Sequence, residues 1–265
     1  MPVITLLTDF GLKDGYVGVM KGVIWSIIPA AQIADLSHEI APQNVMQGAL
    51  VLERAAGYFP SGTVHIAVVD PGVGTPRRAI AVRLGNHTFV GPDNGLFSLV
   101  MAKAQADKLP ISMVHLDRPE FWLPRVSHGF HWRDIFAPVG AHLANGIPLQ
   151  SVGSPIDDPV RLNIAQPQPA PDGWDGSVID IDAFGNLQTN LRAEHLQGLE
   201  RITIKVKNAM IKDLSQAFGD RPSGELVALI DSSGYLAIAV VNGSAASRLP
   251  AAVSDPIEVR GRRAP

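Results

Sequence analysis

"TVHIAVVDPGVGTPRR", residues 63–78, decides how the first half of this chain is read. Residues 64–69 form an almost wholly apolar run that reads as a strand. The run leads straight into Asp70, then Pro71, Gly72 and Gly74, and closes on Arg77 and Arg78. A glycine-rich turn after such a strand raises the question of a phosphate loop. A Walker loop needs Gly-Lys-Ser/Thr and a dinucleotide fingerprint needs GxGxxG, and "GVGTPR" completes neither. A plain turn is a second reading, in which Gly72 and Gly74 allow positive φ and Pro71 holds Asp70 extended. A third adds chemistry: the turn returns Arg77 toward Asp70, and a carboxylate beside a guanidinium stays ionised and oriented.

Outward from this stretch, strands alternate with helices. "VITLL" (3–7) and "AQIADL" (31–36) read as strands. Between them, Asp14 and Gly15 start a helix whose apolar positions Val17, Met20, Val23, Ile24 and Ile27 fall at helical spacing before Pro29. Asn44 caps a helix that runs to Pro60. "RAIAVRL" and "HTFVG" form a hairpin around Gly85–Asn86. Asn94 starts a helix through "GLFSLVMAKA", "ISMVHLD" is a further strand, and "RDIFAPVGAHLANG" is a helix closed by Gly146. The alternation predicts an α/β domain over 1–152 with a mainly parallel central sheet. Ligands of such sheets sit at the carboxyl ends of strands, where Asp9 and Asp70 both fall.

The texture changes after residue 150. "SPIDDPVRLNIAQPQPAPDG" holds five prolines and reads as an extended linker, placed at 153–173. Beyond it, "GSVIDID", "NLQTNL", "RITIKV", "ELVALI", "YLAIAVV" and "PIEVRG" are short strands separated by turns. They predict an antiparallel β-barrel-like domain over 174–265.

The bulk numbers exclude several classes. The chain has 265 residues, a net charge of −3 and only 18% charged residues. A nucleic-acid footprint needs a clustered basic face, and none is present. So little charge to cover a surface suggests that part of it is hidden against other subunits. Cysteine is absent, which removes disulfides, thiolate nucleophiles and cysteine zinc sites. The opening "MPVITLLTDFGLKDGY" lacks the basic segment and cleavage site of a signal peptide. "YVGVMKGVIWSIIPAA" is interrupted by Lys21 and Pro29 and is too short to span a bilayer. A cytoplasmic protein without membrane or nucleic-acid partners is the expectation.

Four further stretches carry polar groups at turns. In "LLTDFGLKDGYVG", Asp9 and Asp14 flank a strand-to-helix loop. Each reads as a turn or cap residue, or as a carboxylate gripping a ribose diol. In "VSHGFHWRDIFAP", His128 and His131 precede a helix start, where a developing anion is favoured. As metal ligands they lack i, i+4 spacing and a clear third partner. "VIDIDAFGNLQTN" and "ALIDSSGYLAIAVVNGSA" read, taken alone, as hairpin turns.

Taken together, "TDFGxxDxYVGxMKG", "VDPGVGTxRR", "VGPDNGL", "FHxRDIFAP" and "DxFGNLxTN", in that order, resemble one family. It is the S-adenosyl-L-methionine hydroxide adenosyltransferases, the adenosine-forming hydrolase branch related to fluorinating and chlorinating enzymes. The resemblance spans essentially the whole chain. It implies hydrolysis of S-adenosyl-L-methionine to adenosine and methionine, with the sulfonium compound as substrate and no cofactor or metal. It implies a homotrimer with active sites between one subunit's N-terminal domain and its neighbour's C-terminal domain. The family's Asp–Arg–His set falls on Asp70, Arg77 and His131. Its ribose aspartate falls on Asp9 and its ammonium-binding aspartate on Asp14. In the second domain the resemblance places substrate contacts at Asp182, Phe184, Asn186, Ser232, Ser233 and Ala239.

Departures from the family pattern are local. Trp132 stands where relatives usually have Gly, and Ala237 where many carry a charge. Gln43 occupies the place of a tryptophan in the halogenating members. Those members also have Tyr and Thr where this chain has Asp70 and Val73, and an N-terminal loop insertion that this chain lacks. Three rivals to hydrolysis remain: halide-dependent adenosyl transfer, a non-catalytic binder of the same nucleoside, and a metal-dependent hydrolase using His128 and His131.

Overall fold

All residues of the strand at 64–68 are buried, and the first unit of the molecule is built outward from it. The structure is a computed structural model that describes residues 1–263. It divides into two compact units, Met1–Leu162 and a second beginning at Asn163.

The first unit contains β1 (Val3–Thr8), α1 (Tyr16–Ile27), β2 (Gln32–Ser37), α2 (Val45–Ala56), β3 (Val64–Val68), β4 (Ala79–Leu84) and β5 (His87–Pro92). It continues through α3 (Ser98–Ala106), β6 (Ile111–His115), α4 (Ala137–Ala144) and β7 (Ser154–Pro155). The sheet order is β2-β1-β3-β5-β4-β6-β7. Three pairings are parallel (β1–β2, β1–β3, β3–β5) and three antiparallel (β4–β5, β4–β6, β6–β7). The sheet is therefore mixed, which corrects the expectation of a mainly parallel one. The cause is the Gly85–Asn86 turn: Leu84 pairs with His87, and a two-residue connection joins only antiparallel neighbours. Gly85 takes φ 56° there, a value that costs glycine little.

Alternation along β1 and β3 sends side chains to both sheet faces. Ile4, Leu6, Ile66 and Val68 pack with Met20 and Ile24 of α1 and Val139 of α4. Leu7, Ala67 and Val69 pack on the other face with Ala49 and Leu52 of α2 and Met101 of α3. A Cβ on Gly140 of α4 would lie 2.4 Å from Cδ1 of Ile66, so the glycine lets that helix lie close on β3. Asn44 caps α2 by accepting from the Gln47 backbone N–H at 3.0 Å. At α1 the N-cap is Gly15 with φ 73°, and no side chain caps the helix; Asp14, exposed beside it, is not the cap.

The second unit contains β8 (Gln168–Ala170), β9 (Gly173–Ile181), β10 (Leu187–Arg192), α5 (Ala193–Leu196), β11 (Leu199–Val206) and β12 (Ala209–Lys212). β13 (Leu226–Ile230), β14 (Tyr235–Val240), α6 (Ala245–Arg248) and β15 (Pro256–Arg263) complete it. The order is β12-β11-β15-β9-β10-β14-β13, with β8 beside β9, and all pairings are antiparallel. Just past the edge strand β12, the Ser215 N–H donates to the Ala228 carbonyl of the other edge strand, β13, at 2.8 Å. The sheet is thereby a nearly closed barrel, around Val178, Leu187, Ile204, Leu236, Ile238 and Val259.

The proline-rich stretch is tied down within the first unit as far as Leu162. Arg78 donates to Asp93 at 2.8 Å and to Asp158 at 2.7 Å. Asp93 accepts from the Val160 N–H at 2.8 Å, and the Ser98 hydroxyl from the Leu162 N–H at 2.8 Å.

One buried group makes this unit sensitive to acid. His65 is fully buried on β3. Its Nδ1 lies 2.8 Å from the Thr5 hydroxyl, and its Nε2 lies 3.1 Å from Nδ1 of His87. Burial, with a smaller effect from His87, pushes its pKa down to about 3 from the ordinary 6.5. A depressed folded-state value stabilises the fold above about pH 6.5, and that stability is lost as pH falls toward 3. The expected loss is about 1.4 kcal/mol per pH unit within that window. Denaturant unfolding between pH 7 and pH 4 tests this: the wild-type free energy falls, and His65→Phe flattens the slope. A wild-type stability independent of pH contradicts it.

Candidate functional site

β1 and β3 are parallel neighbours, so the residues past their carboxyl ends emerge at one edge of the sheet. Asp9 follows β1 closely and Asp70 follows β3. The turn after Asp70 closes through the Val73 N–H on the Asp70 carbonyl (3.2 Å) and the Thr75 N–H on the Gly72 carbonyl (3.1 Å). It returns Arg77 onto Asp70: Nε donates to Oδ1 at 2.9 Å and Nη2 donates to Oδ2. A Cβ on Gly72 would lie 3.3 Å from Cγ of Arg77 and 3.8 Å from Oδ1 of Asp70. Glycine there clears the path along which the arginine folds back. Gly74 takes φ 80°, and a Cβ there would lie 3.1 Å from the His128 carbonyl. The turn is thus packed against the loop that carries the histidines.

The guanidinium also reaches a second side chain. Nη2 of Arg77 lies 2.9 Å from Nδ1 of His131. Arginine has no acceptor, so it donates and His131 Nδ1 accepts; a neutral imidazole then carries its proton on Nε2. Burial first, and then the Arg77 charge, lowers the His131 pKa below its ordinary value. Beneath the guanidinium lies Phe136, its ring centroid 5.3 Å from Cζ. The structure thus joins Asp70, Arg77 and His131 through one planar cation, and both members of the ion pair have buried side chains.

His131 is placed by a loop with its own brace. A π-helical turn, Trp132–Phe136, precedes α4; such turns are often found at functional sites. Inside it, Asp134 is fully buried. It accepts from the Ser127 N–H (2.8 Å), the Ser127 hydroxyl (3.0 Å) and Arg133 Nε (2.6 Å). Burial alone raises a carboxyl's pKa, but these donors outweigh it and Asp134 lies below the usual value. Sequence reasoning assigned this residue no role. The adjacent Arg133–Asp134 pair was the available signal.

A pocket of about 280 Å³ opens at this edge, lined by Asp9, Phe10, Gln43, Asp70, Val73 and Trp132 among others. It lies near the lower end for small-molecule pockets, ~300–1,000 Å³. Asp9 Oδ2 accepts from the Gln43 backbone N–H at 2.8 Å, and Gln43 takes a left-handed φ of 66°. Trp132 is 7% exposed and packs within 5.4 Å of both Phe10 and Tyr16 and 5.7 Å of Phe130, centroid to centroid. Phe10 is a lining residue that the sequence reading passed over. Asp14 is not among the lining residues. Among the described residues, no group of three or more His, Cys, Asp or Glu is placed to hold a metal ion. No described helix is long and apolar enough to cross a membrane.

The second unit is self-organised around its own turns. Asp182 Oδ1 accepts from the N–H groups of Phe184 and Asn186, both at 2.9 Å, and Oδ2 accepts from Asn186 Nδ2 at 2.8 Å. Phe184 projects, 79% exposed. Leu187, next to this loop, pairs with Ile238, so Ala239 lies at the same end of β14. The Ser232–Ser233 turn precedes Tyr235, at the other end of that strand. There Asp231 Oδ1 accepts from the Ser233 and Tyr235 N–H groups at 2.8 and 3.0 Å.

Comparison with known proteins follows the same two-part plan. The model of the SAM hydroxide adenosyltransferase N-terminal domain matches residues 4–153, and that of the C-terminal domain matches 176–258. The chain is 39% identical to a protein of Salinispora arenicola named (R)-S-adenosyl-L-methionine hydrolase, over 97% of each chain. It is 39% identical to one of the same name from Thermus thermophilus, over 94% of this chain and 96% of that one. A fluorinase of Nocardia brasiliensis is 29% identical over 90% of each. A crystal structure of an uncharacterized conserved protein from Thermotoga maritima superposes with a TM-score of 0.88 at 38% identity, covering 97% of this chain and 99% of that one.

The brace on the histidine loop has a measurable worth. Asp134→Ala removes the acceptor shared by Ser127 and Arg133, at roughly 1.5–3 kcal/mol for hydrogen bonds to a charged group. Denaturant unfolding of the variant is expected to show that loss. A change below about 0.5 kcal/mol would show that the loop does not depend on Asp134.

Proposed function

The chain belongs to the SAM hydroxide adenosyltransferase family, and from that premise we propose that it hydrolyses S-adenosyl-L-methionine to adenosine and L-methionine. The observation that carries the reading is the contact of Asp70, Arg77 and His131 through one guanidinium, in a chain that matches the family over both domains. Substrate and water suffice for this reaction.

The substrate is a sulfonium cation, and its C5′–S bond breaks with both electrons returning to sulfur. Methionine leaves as a neutral thioether, so departure needs no general acid. Water oxygen forms the new bond to C5′, and one proton must be taken up. Water is a weak nucleophile, with a pKa of ~15.7 in bulk, so a positioned base matters. His131 has its Nδ1 lone pair engaged by Arg77 and its proton on Nε2, which suits it to orient rather than to accept. Asp70 is the proton acceptor in this proposal: a carboxylate offers about four lone-pair sites, and Arg77 engages only two. Arg77 fixes the carboxylate and lends positive charge to the forming hydroxide. Asp9 holds the ribose, and Asp14 meets the methionine ammonium group.

Charge is annihilated as hydroxide meets a sulfonium, so exclusion of water helps. The proposal provides it by a homotrimer. Domain 1–152 of one subunit carries the reacting groups, and domain 174–265 of a neighbour brings Asp182, Phe184, Asn186, Ser232, Ser233 and Ala239 to the substrate, with 153–173 as the connection. The compartment proposed is the cytoplasm. Halide-dependent transfer is disfavoured, because a carboxylate at position 70 repels an incoming anion.

The test is a product assay with and without chloride, which is expected to yield adenosine and methionine and no 5′-chloro-5′-deoxyadenosine. Asp70→Asn and His131→Ala are expected to lower turnover by ~10²–10⁴-fold with substrate binding retained. Arg77→Lys is impaired as well, since an ammonium lacks the planar fork. Full activity in the Asp70 and His131 variants sinks the assignment. Because His131 is held neutral below its ordinary range, the acid limb of kcat/KM should fall below about pH 6.5. A histidine limb at or above that value argues against the Arg77–His131 geometry in the working enzyme.

A further inference from the structure

The strand order β3-β5-β4 dictates the path of the loop that carries Asp70 and Arg77. The chain leaves β3 at Val68 and enters β4 at Ala79, so the loop crosses the carboxyl end of β5, which lies between those strands. Asp93 and Asn94 stand at that end, within "VGPDNGL", residues 90–96. Register decides what they meet. Leu84 pairs with His87 and Ala79 with Pro92, so Arg78 comes opposite Asp93. On the other side, Val64 pairs with Thr88 and Ile66 with Val90 in parallel, which brings the exit of β3 alongside the same two residues. A Cβ on Gly91 would lie 2.2 Å from the Ala67 carbonyl oxygen, so glycine there lets β5 lie this close to β3.

Both ends of the loop are fastened there. At its start, Asn94 Nδ2 donates to the Val69 carbonyl at 2.7 Å, and Asn94 Oδ1 accepts from the Leu96 N–H at 3.2 Å. The Val69 carbonyl shares one planar peptide unit with the nitrogen of Asp70. At its close, the Asp93 N–H donates to the Arg78 carbonyl at 3.0 Å, and the buried Asp93 carboxylate accepts from Arg78 Nε at 2.8 Å. The same Arg78 carbonyl accepts from Nη1 of Arg77 at 3.3 Å. The guanidinium that meets Asp70 and His131 through its other N–H groups thus rests on a main-chain oxygen that Asp93 holds.

Resting on the hydrolysis reading above, we propose that Asp93 and Asn94 are positioning residues of the reaction. They clamp the loop at both ends and so set how Asp70 stands against Arg77; they act through those two residues and not on the substrate. Residue type matters at the first clamp. An asparagine amide both donates and accepts, so it serves Val69 and Leu96 at once. An ionised aspartate of nearly the same shape only accepts, and it sets a negative oxygen against the Val69 carbonyl. In-line attack leaves little room for such a shift, since misplacement by about 1 Å costs ~10²-fold in rate.

The test compares purified wild type, Asn94→Asp, Asn94→Ala and Arg78→Gln, each made also in an Asp70→Asn background. Adenosine release from S-adenosyl-L-methionine yields kcat and KM, calorimetry with adenosine yields Kd, and a thermal melt confirms folding. Both Asn94 variants are expected to lower kcat by ~10–100-fold, with Kd for adenosine changed by less than about threefold. Arg78→Gln, which frees the Asp93 carboxylate, lowers kcat by about threefold or more. In the Asp70→Asn background the same substitutions cost less than about threefold, because the group they position is gone. A residue that only stabilises the fold lowers the melting temperature, and its effect on rate is the same in both backgrounds. If neither Asn94 variant folds, Arg78→Gln decides by the same comparison, its side chain being partly exposed. An unchanged kcat in the folded variants, or an equal loss in both backgrounds, overturns the proposal. Absence of adenosine with wild-type enzyme is a different failure: it removes the hydrolysis reading itself.

Discussion

Arg77 makes three contacts with one rigid plane, and the arrangement of the site depends on them. Two N–H groups engage the Asp70 carboxylate and one reaches His131. Because the guanidinium cannot rotate its donors independently, seating the Asp70 carboxylate in its fork fixes the direction of the N–H that reaches His131. It cannot accept a hydrogen bond either, so it dictates which histidine nitrogen carries the proton. A lysine ammonium would satisfy the same charges and would also only donate, but it lacks the planar fork that fixes the partners' geometry.

The surrounding fold meets that demand from two directions. β3 is buried at every position and ends at Val68, so Asp70 leaves the sheet from a rigid base. Gly72 leaves the space through which the Arg77 side chain returns. On the other side, the π-helical turn sets His131 just before α4 and places Phe136 under the guanidinium. Asp134, buried within that turn, holds Ser127 and Arg133, and with them the loop that carries both histidines. Removing water from around a cation between a carboxylate and an imidazole strengthens each contact. The buried position of the pair is therefore part of its chemistry.

Much of the first unit was legible in the chain. The apolar runs at 3–7 and 64–69 became neighbouring strands, and Asn44 capped its helix by the bond its residue type predicts. Gly85–Asn86 made the hairpin. That same hairpin carried the consequence that was missed: one tight turn reverses a strand, and β4 then sets its neighbour β6 antiparallel as well, giving a mixed sheet. Periodicity reports which residues are buried but not the direction of the strands they belong to. Asp14 shows a different limit. Its position suited a cap, yet Gly15 took the cap in a left-handed conformation that backbone geometry alone decides.

The sequence by itself determined that a carboxylate stands at a strand end, that glycines and a proline follow it, and that an arginine and a distant histidine accompany it in a recognisable order. Those are properties of residue type and spacing, set by local sterics and by charge. Tertiary structure alone decided that Arg77 bridges Asp70 to His131, that His131 accepts through Nδ1, that Asp134 braces the loop, and that Phe10 and Trp132 face the same pocket. Each of these joins residues distant in sequence or depends on a burial that no single segment specifies. Hydrogen-bond direction and desolvation exist only once the partners have met.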